Sequence, residues 1–225
     1  MKLPGSQELG FSLVELLLAA SCGVIVLLAV LQLLVDYTKQ DRVLVENTLA
    51  KEELMRGVSF IQMETRMSYA ISSSATAFPT GSGVSDCLGS TYIPFLGLQV
   101  RQLSSTNQSV DYAVIYALRN LNTSADTPWQ GPYAIYRCGP AFKQDGSYGN
   151  YSSSPVIVTD RIADAPNATD PSCGSSTVRM PSTPNVGLKI CVDSGGRAMQ
   201  IYLTGMATDG SRLPTMTAYA AARSL

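Results

Sequence analysis

An apolar run near the N-terminus, from Phe11 to Val35, limits the possible folds of this chain more than any other feature. Its 25 residues, at about 1.5 Å per residue in a helix, can cross a hydrocarbon core about 30 Å thick with some tilt. The run contains one charged residue, Glu15, and an ionised carboxylate inside lipid costs about 3 kcal/mol. We therefore predict a membrane-spanning half-helix over residues 11–35, in which Glu15 has a functional role and needs a cationic partner.

The residues before the run indicate where that cation could come from. Cleavage after Gly10 would create a new amino group on Phe11, close to Glu15. A conventional secretory signal has a short apolar core followed by a small-residue cleavage site, whereas here a polar leader precedes a much longer run. We predict a leader over residues 1–10 and pairing of Glu15 with the new amine of a neighbouring subunit. An ordinary signal anchor with a stray glutamate is the alternative.

The segment Gly10-Phe-Ser-Leu-Val-Glu-Leu16 resembles the class III signal of type IV prepilins and pseudopilins. The resemblance implies cleavage between Gly10 and Phe11 by a prepilin peptidase, methylation of Phe11, and neutralisation of a neighbour's terminal amine by Glu15 during fibre assembly. It also implies a single-pass protein of the bacterial inner membrane, with a cytoplasmic leader and a periplasmic C-terminal domain, that later enters a cell-surface pilus. Its partners would be the peptidase, the major pilin, other minor pilins and the assembly platform in the inner membrane.

Three shorter stretches, 46–70, 114–119 and 134–138, loosely resemble the PilW-like minor pilins. That resemblance implies a minor pilin, a structural and assembly subunit of a type IV pilus. A pseudopilin, which forms a short periplasmic fibre for protein or polysaccharide secretion, has the same N-terminal motif and is the first alternative. A tip adhesin or DNA-uptake component is the second, although the sequence shows no basic patch that favours nucleic acid.

The composition argues against an enzyme. The chain has no histidine, which excludes Ser-His-Asp and Cys-His catalysis and removes the commonest metal ligand. We expect no cofactor and no metal ion, and we interpret Asp145-Gly-Ser and Asp209-Gly-Ser as turns. A calcium site in the long loops is the alternative. Tyrosines and one tryptophan could form an adhesive surface, although packing under loops or on a sheet is more usual; they are Trp129, Tyr133, Tyr136, Tyr148 and Tyr151.

Five cysteines divide between the two parts of the chain. Cys22 lies in the apolar run, where we expect it to act as a small apolar residue. The other four lie in the presumed ectodomain, on the oxidising side of a membrane, and their even number predicts two disulfides. Of three connectivities we favour Cys87–Cys138 and Cys173–Cys191, because the second closes a short loop rich in Pro, Ser and Asn. A zinc site is the alternative, although it would lack histidine and any Cys-x-x-Cys pair.

The apolar run is predicted to continue as an amphipathic helix over residues 36–70, because no proline occurs between Pro4 and Pro79. One face of this second half-helix has apolar residues at spacings of three, four and seven. They are Val43, Ala50, Leu54, Val58 and Ile61. We expect this stripe to pack on a sheet.

Beyond residue 70, short β-branched and aromatic runs alternate with turn clusters, so residues 71–225 are predicted to form a disulfide-stabilised, β-rich globular domain. The six candidate strands are Phe95–Leu103, Val110–Leu118, Tyr133–Cys138, Val156–Arg161, Leu188–Val192 and Met199–Leu203, and the candidate loops are 72–83, 122–131, 142–155 and 163–184. A helix followed by a run of strands indicates an α+β fold. We predict a long N-terminal helix packed on an antiparallel β-sheet, which is a pilin-like arrangement.

Overall fold

The computed structural model describes residues 12–72, 83–103, 108–122, 130–152, 154–165, 173–174, 177–181 and 186–223. The chain divides into two compact units, Met1–Val45 and Glu46–Leu225. One helix, α1 (Leu13–Met67), begins in the first unit and ends in the second. The predicted leader residues Gly10 and Phe11 lie outside the described residues.

The part of α1 up to Val35 is apolar on nearly all sides. Every described residue from 12 to 45 is exposed, including the long series of Leu, Val and Ile side chains up to Val35. A helix that is hydrophobic all round belongs in a large protein core or in a membrane. Among the helices that the structure describes, α1 is the one long and apolar enough to span a membrane. This agrees with the prediction of a single-pass membrane protein.

The second unit contains eleven described strands, which pair antiparallel throughout. A five-stranded sheet has the order β1-β2-β3-β4-β7, a four-stranded sheet has the order β11-β10-β9-β8, and β5 and β6 form a hairpin. The bounds are β1 (Ser68–Ser72), β2 (Tyr92–Leu103), β3 (Ser109–Asn120), β4 (Tyr133–Cys138), β5 (Pro140–Phe142), β6 (Tyr148–Tyr151), β7 (Val156–Ile162), β8 (Thr177–Met180), β9 (Leu188–Asp193), β10 (Ala198–Leu203) and β11 (Met216–Ala221).

The main core lies between α1 and the two larger sheets. Four members of the predicted helix stripe, Ala50, Leu54, Val58 and Ile61, are at most 6% exposed. They belong to one cluster with Phe95, Leu118 and Ile135 of the first sheet and Ile190 and Ile201 of the second. Leu54 and Ile61 have no exposed surface, so each contributes about 2 kcal/mol through burial. The predicted α+β fold, a long N-terminal helix on an antiparallel sheet, is confirmed.

Strand β3 shows how one sequence pattern covers both faces of the first sheet. Val114 and Tyr116 lie in the main core, while Ala113 and Ile115 belong to a second cluster on the opposite face. Alternation of side chains between the two faces of a strand explains the division. A one-turn 3₁₀ helix, Ser85–Leu88, supplies Cys87 to the second cluster.

The helix prediction was wrong at two places. Val43 was assigned to the buried stripe, but it is 41% exposed because it belongs to the first unit, outside the globular core. The helix was also extended to residue 70, whereas residues 68–72 form β1 and pair with β2. The Ser68 hydroxyl donates to the Thr65 carbonyl at 2.7 Å at this junction. Strand pairing therefore overrides a local pattern that contains neither proline nor glycine.

Each of the six predicted strands corresponds to an observed one, namely β2, β3, β4, β7, β9 and β10. Five further strands were missed, and the predicted loops 142–155 and 163–184 were wrong where they contain β6 and β8. These missed strands have three to six residues and lie next to turn residues or, in β11, are rich in alanine. Such short segments become strands because they pair with a neighbouring strand, and their own sequence pattern is too short to predict one.

The absence of a side chain at Gly57 allows Thr159 of β7 to pack closely against α1. A Cβ atom added at Gly57 would lie 2.8 Å from Cβ of Thr159. We expect Gly57→Ala to lower the free energy of unfolding by about 1–3 kcal/mol, because overpacking outweighs the gain in helix propensity. Denaturant unfolding in detergent would measure it. Gly23→Ala is the matched control, since nothing lies within 4 Å of that position on the same helix; an equal effect of both changes would contradict the packing argument.

Candidate functional site

The first turn of α1 holds Glu15 in a capping box. The backbone N–H of Ser12 donates to Glu15 Oε2 at 3.1 Å, and the backbone N–H of Val14 donates to Ser12 Oγ at 3.3 Å. A serine followed by a glutamate three residues later is the sequence signature of this arrangement, which satisfies N–H groups that a helix start leaves unpaired. The carboxylate is therefore fixed at the N-terminal end of the helix.

Glu15 is an acidic group on an exposed apolar surface. It is the one charged residue between Leu13 and Val35, and its neighbours Leu16 and Leu17 are more than half exposed. The hydrogen bond from Ser12 offsets part of the free energy of placing a carboxylate in apolar surroundings. A second, cationic partner would offset more, and the described residues of the first unit offer none beside it. The arrangement suits the binding of an amine at the helix end.

The four cysteines beyond the apolar run form two disulfides, Cys87–Cys138 and Cys173–Cys191. These are the two pairs favoured from the sequence. The first links the 3₁₀ helix to the end of β4 and closes a loop with a separation of 51 residues. The second closes a loop with a separation of 18 residues and ends in β9. Cys22 is free and exposed on α1.

A buried ion pair joins α1 to the first sheet, and it was missed from the sequence. Glu64 is fully buried, and Arg137 of β4 is 5% exposed. Arg137 donates from Nη2 to Glu64 Oε1 at 2.6 Å and from Nε to Glu64 Oε2 at 2.9 Å. Its Nη1 donates to the Pro140 carbonyl at 2.9 Å. The pair thus has the two-pronged geometry that makes arginine–carboxylate contacts strong.

Two buried tyrosines complete this network. The hydroxyl groups of Tyr116 and Tyr148 donate to Glu64, Tyr148 at 2.7 Å to Oε1. Burial, and then the Glu64 charge, raises the pKa of both tyrosines well above the usual range. Burial opposes the charge on Arg137, but the hydrogen bonds and charge of Glu64 outweigh it and raise the pKa of the guanidinium. At neutral pH the two tyrosines therefore stay neutral and Arg137 stays charged.

A sequence signal for Glu64 was present. Glu64 follows Ile61 by three residues and so continues the buried stripe of α1. A carboxylate on a buried helix face requires a cationic partner, so the spacing predicts a buried ion pair. The spacing does not identify which arginine is that partner. Burial of Tyr136 and Tyr148, at 7% and 6% exposure, also favours packing over the adhesive interpretation for these two residues; Trp129 lies outside the described residues.

The described residues show no catalytic or metal-binding constellation. No group of three or more Cys, Asp and Glu in the described ranges is placed to hold a metal ion. The two Asp-Gly-Ser stretches form turns, in which the Ser147 and Ser211 N–H groups donate to Asp145 and Asp209 at 2.9 Å. Hydrogen bonding by the serine side chain, and then by the serine N–H, lowers the pKa of both carboxyl groups.

A cleft of about 550 Å³ lies between α1, β7 and the β5–β6 hairpin. Its walls are mostly apolar, with Phe60, Phe142 and Ile157 among them. The two charged residues in its lining, Arg56 and Arg137, already form ion pairs with Glu52 and Glu64. The cleft therefore presents no activated nucleophile or acid–base pair to a substrate.

Comparison of this chain with family models, with curated proteins and with solved structures finds no match.

Proposed function

We propose that this chain is a minor pilin, a structural and assembly subunit of a type IV pilus that enters the fibre through its N-terminal helix. One observation carries the proposal: the segment from Gly10 to Leu16 runs into the first turn of an apolar helix, and Glu15 is the one charged residue of that helix up to Val35. An acid at that place is costly in lipid unless a cation neutralises it, and the amine made by cleavage supplies one.

Two features of the structure support this proposal. The capping box fixes the Glu15 carboxylate at the first turn of α1, where a neighbour's amine can reach it as helices pack side by side. The two disulfides suit a domain that folds in an oxidising compartment, which the periplasm is. In the fibre, the apolar helices pack together, Glu15 pairs with an amine, and the β-rich domain faces solvent.

The cleavage step has a direct test. We expect Gly10→Leu to leave a full-length, unprocessed membrane protein, because a bulky side chain blocks the peptidase at the cut. Mass spectrometry of the protein from its native membrane would measure the N-terminus. Gly5→Leu, a change of the same kind elsewhere in the leader, serves as the control and is expected to be processed. Normal shortening of the Gly10 variant would overturn the cleavage claim.

Location separates the pilus from the secretion alternative. We expect immunodetection of the protein in fibres sheared from the cell surface. Detection in the cell envelope alone, with no signal in sheared fibres, would favour a pseudopilin that assembles in the periplasm.

A further inference from the structure

Asp160 in β7 is 6% exposed, yet half of its carboxylate lacks a hydrogen-bond donor. Its Oδ2 atom accepts a hydrogen bond from the Gln130 N–H at 2.6 Å. Its Oδ1 atom is buried and has no donor among the described residues. A buried acceptor without a donor raises the free energy of the folded state. We therefore expect a hydrogen-bond donor or a bound ligand at this atom.

The surrounding backbone holds Asp160 firmly in this position. The next residue, Arg161, has φ of 58°, a left-handed conformation that is uncommon for a residue with a side chain. The Arg161 N–H donates to the Gln130 carbonyl at 2.6 Å, and the Met206 N–H donates to the Arg161 carbonyl at 2.7 Å. The backbone directly after Asp160 is therefore held to two other segments, and the Gln130 N–H holds the carboxylate itself.

Helix α1 brings a second carboxyl group to the same place. Gly57 approaches Thr159 closely, and a side chain at Gly205 would meet Leu54, so this turn of α1 packs tightly on the end of β7. Glu53 lies on that turn, with its carboxyl within hydrogen-bonding reach of Asp160. As a whole residue Glu53 is exposed, so protons can exchange between its carboxyl and water.

The charges around Glu53 favour its protonated form. Partial burial, then the Asp160 charge and the hydrogen bond to Asp160, raises the pKa of Glu53 above its usual value of 4.5. Arg161 on β7 and Arg56 on α1 act in the opposite direction but do not cancel the rise. Asp160 also faces Tyr136 on β4, whose pKa rises mainly through burial.

We propose that the protonated Glu53 carboxyl donates a hydrogen bond to Asp160 and thereby forms a pH-dependent link between α1 and β7. In the linked form the Glu53 O–H donates to Asp160 Oδ1 and satisfies the buried acceptor. Loss of the proton to water leaves two carboxylates facing each other and removes the donor. This link does not depend on the pilus function proposed above.

The sign of the pH effect follows from the raised pKa. The stabilisation is fully present below the unfolded pKa of Glu53 and is lost as the pH rises through its higher folded pKa. Glu53→Gln keeps a donor but does not titrate. In the full-length protein in detergent, we therefore expect the Tm of Glu53→Gln minus that of the wild type to increase by about 2–4 °C between pH 4 and pH 8. Thermal unfolding followed by circular dichroism would measure this.

Glu52→Gln is the matched control, because Glu52 is an exposed neighbour that pairs with Arg56. We expect no such pH-dependent increase for it. Carbon-13 NMR titration gives a second measurement: the Glu53 carboxyl should titrate above its usual pKa of 4.5, and Asp160→Asn should lower its midpoint. Parallel Tm curves, or a Glu53 midpoint that Asp160→Asn leaves unchanged, would overturn the proposal. A rise in wild-type Tm at pH 8 with calcium, absent in Glu53→Gln, would also overturn it by showing that the pair holds a cation.

Discussion

Replacing Glu64 by glutamine is expected to lower the free energy of unfolding by about 3–5 kcal/mol, because Arg137 would keep its charge in the interior without a counter-ion. For a protein of this size, that loss corresponds to a fall in Tm of roughly 6–20 °C. The tyrosine hydroxyls of Tyr116 and Tyr148 would also lose their charged acceptor. Thermal and denaturant unfolding of the full chain in detergent would measure both quantities.

Two controls test whether the loss of stability comes from the burial of the ion pair and not simply from the loss of an ion pair. Arg101 and Asp111 form a contact of 2.7 Å, but their side chains are 41% and 45% exposed. We expect Asp111→Asn to lower the free energy of unfolding by less than about 1 kcal/mol. The double change Glu64→Met with Arg137→Met removes both buried charges and is expected to be less harmful than Glu64→Gln alone. A double variant as unstable as the sum of the two single variants would contradict the argument.

The second large effect concerns assembly. We expect Glu15→Ala to be processed at its N-terminus and to reach the membrane, but to be absent from fibres. Without the carboxylate, the amine of a neighbouring subunit would be buried in apolar surroundings with no counter-ion, which is strongly unfavourable. Immunodetection in sheared fibres, normalised to the amount of protein in the membrane fraction, would measure the loss.

Asp36→Ala is a suitable control for Glu15→Ala. Asp36 lies on the same helix, directly after the apolar run, and is exposed. We expect this variant to enter fibres at close to the wild-type level. Incorporation of Glu15→Ala equal to that of the wild type would remove the role assigned to the carboxylate, while leaving the membrane helix itself unaffected.

The features that sequence reasoning predicted well are those with long, regular patterns. The apolar run and the helix stripe extend over many turns. The observed end of α1 at Met67 therefore lies only three residues before the predicted end of the helix at residue 70. Strands such as β2 and β3, with twelve residues each, also carry their own alternation. Periodicity identifies such elements because apolar residues recur at the helix or strand spacing over enough residues to exclude any other spacing.

The features that were missed depend on contacts between distant residues. Strand β1 forms where pairing with β2 ends the helix, and β6 forms because β5 lies beside it. The Glu64–Arg137 pair joins positions 73 residues apart. Local spacing places Glu64 on a core face, but only the fold shows which arginine meets it. The proposed link between Glu53 and Asp160 likewise depends on how closely Gly57 allows the helix to approach β7.

The division of the cysteines provides a labelling site that requires no engineering. Four of the five thiols are consumed in crosslinks, and Cys22 remains a free thiol within the apolar helix. Because maleimides react with the thiolate form, a fluorophore or spin probe would be attached without reductant to the full chain in detergent or denaturant solution, before the helix is placed in a bilayer. Quenchers confined to lipid or to water could then report the depth of that helix in a bilayer, and whether the probe becomes shielded when subunits associate.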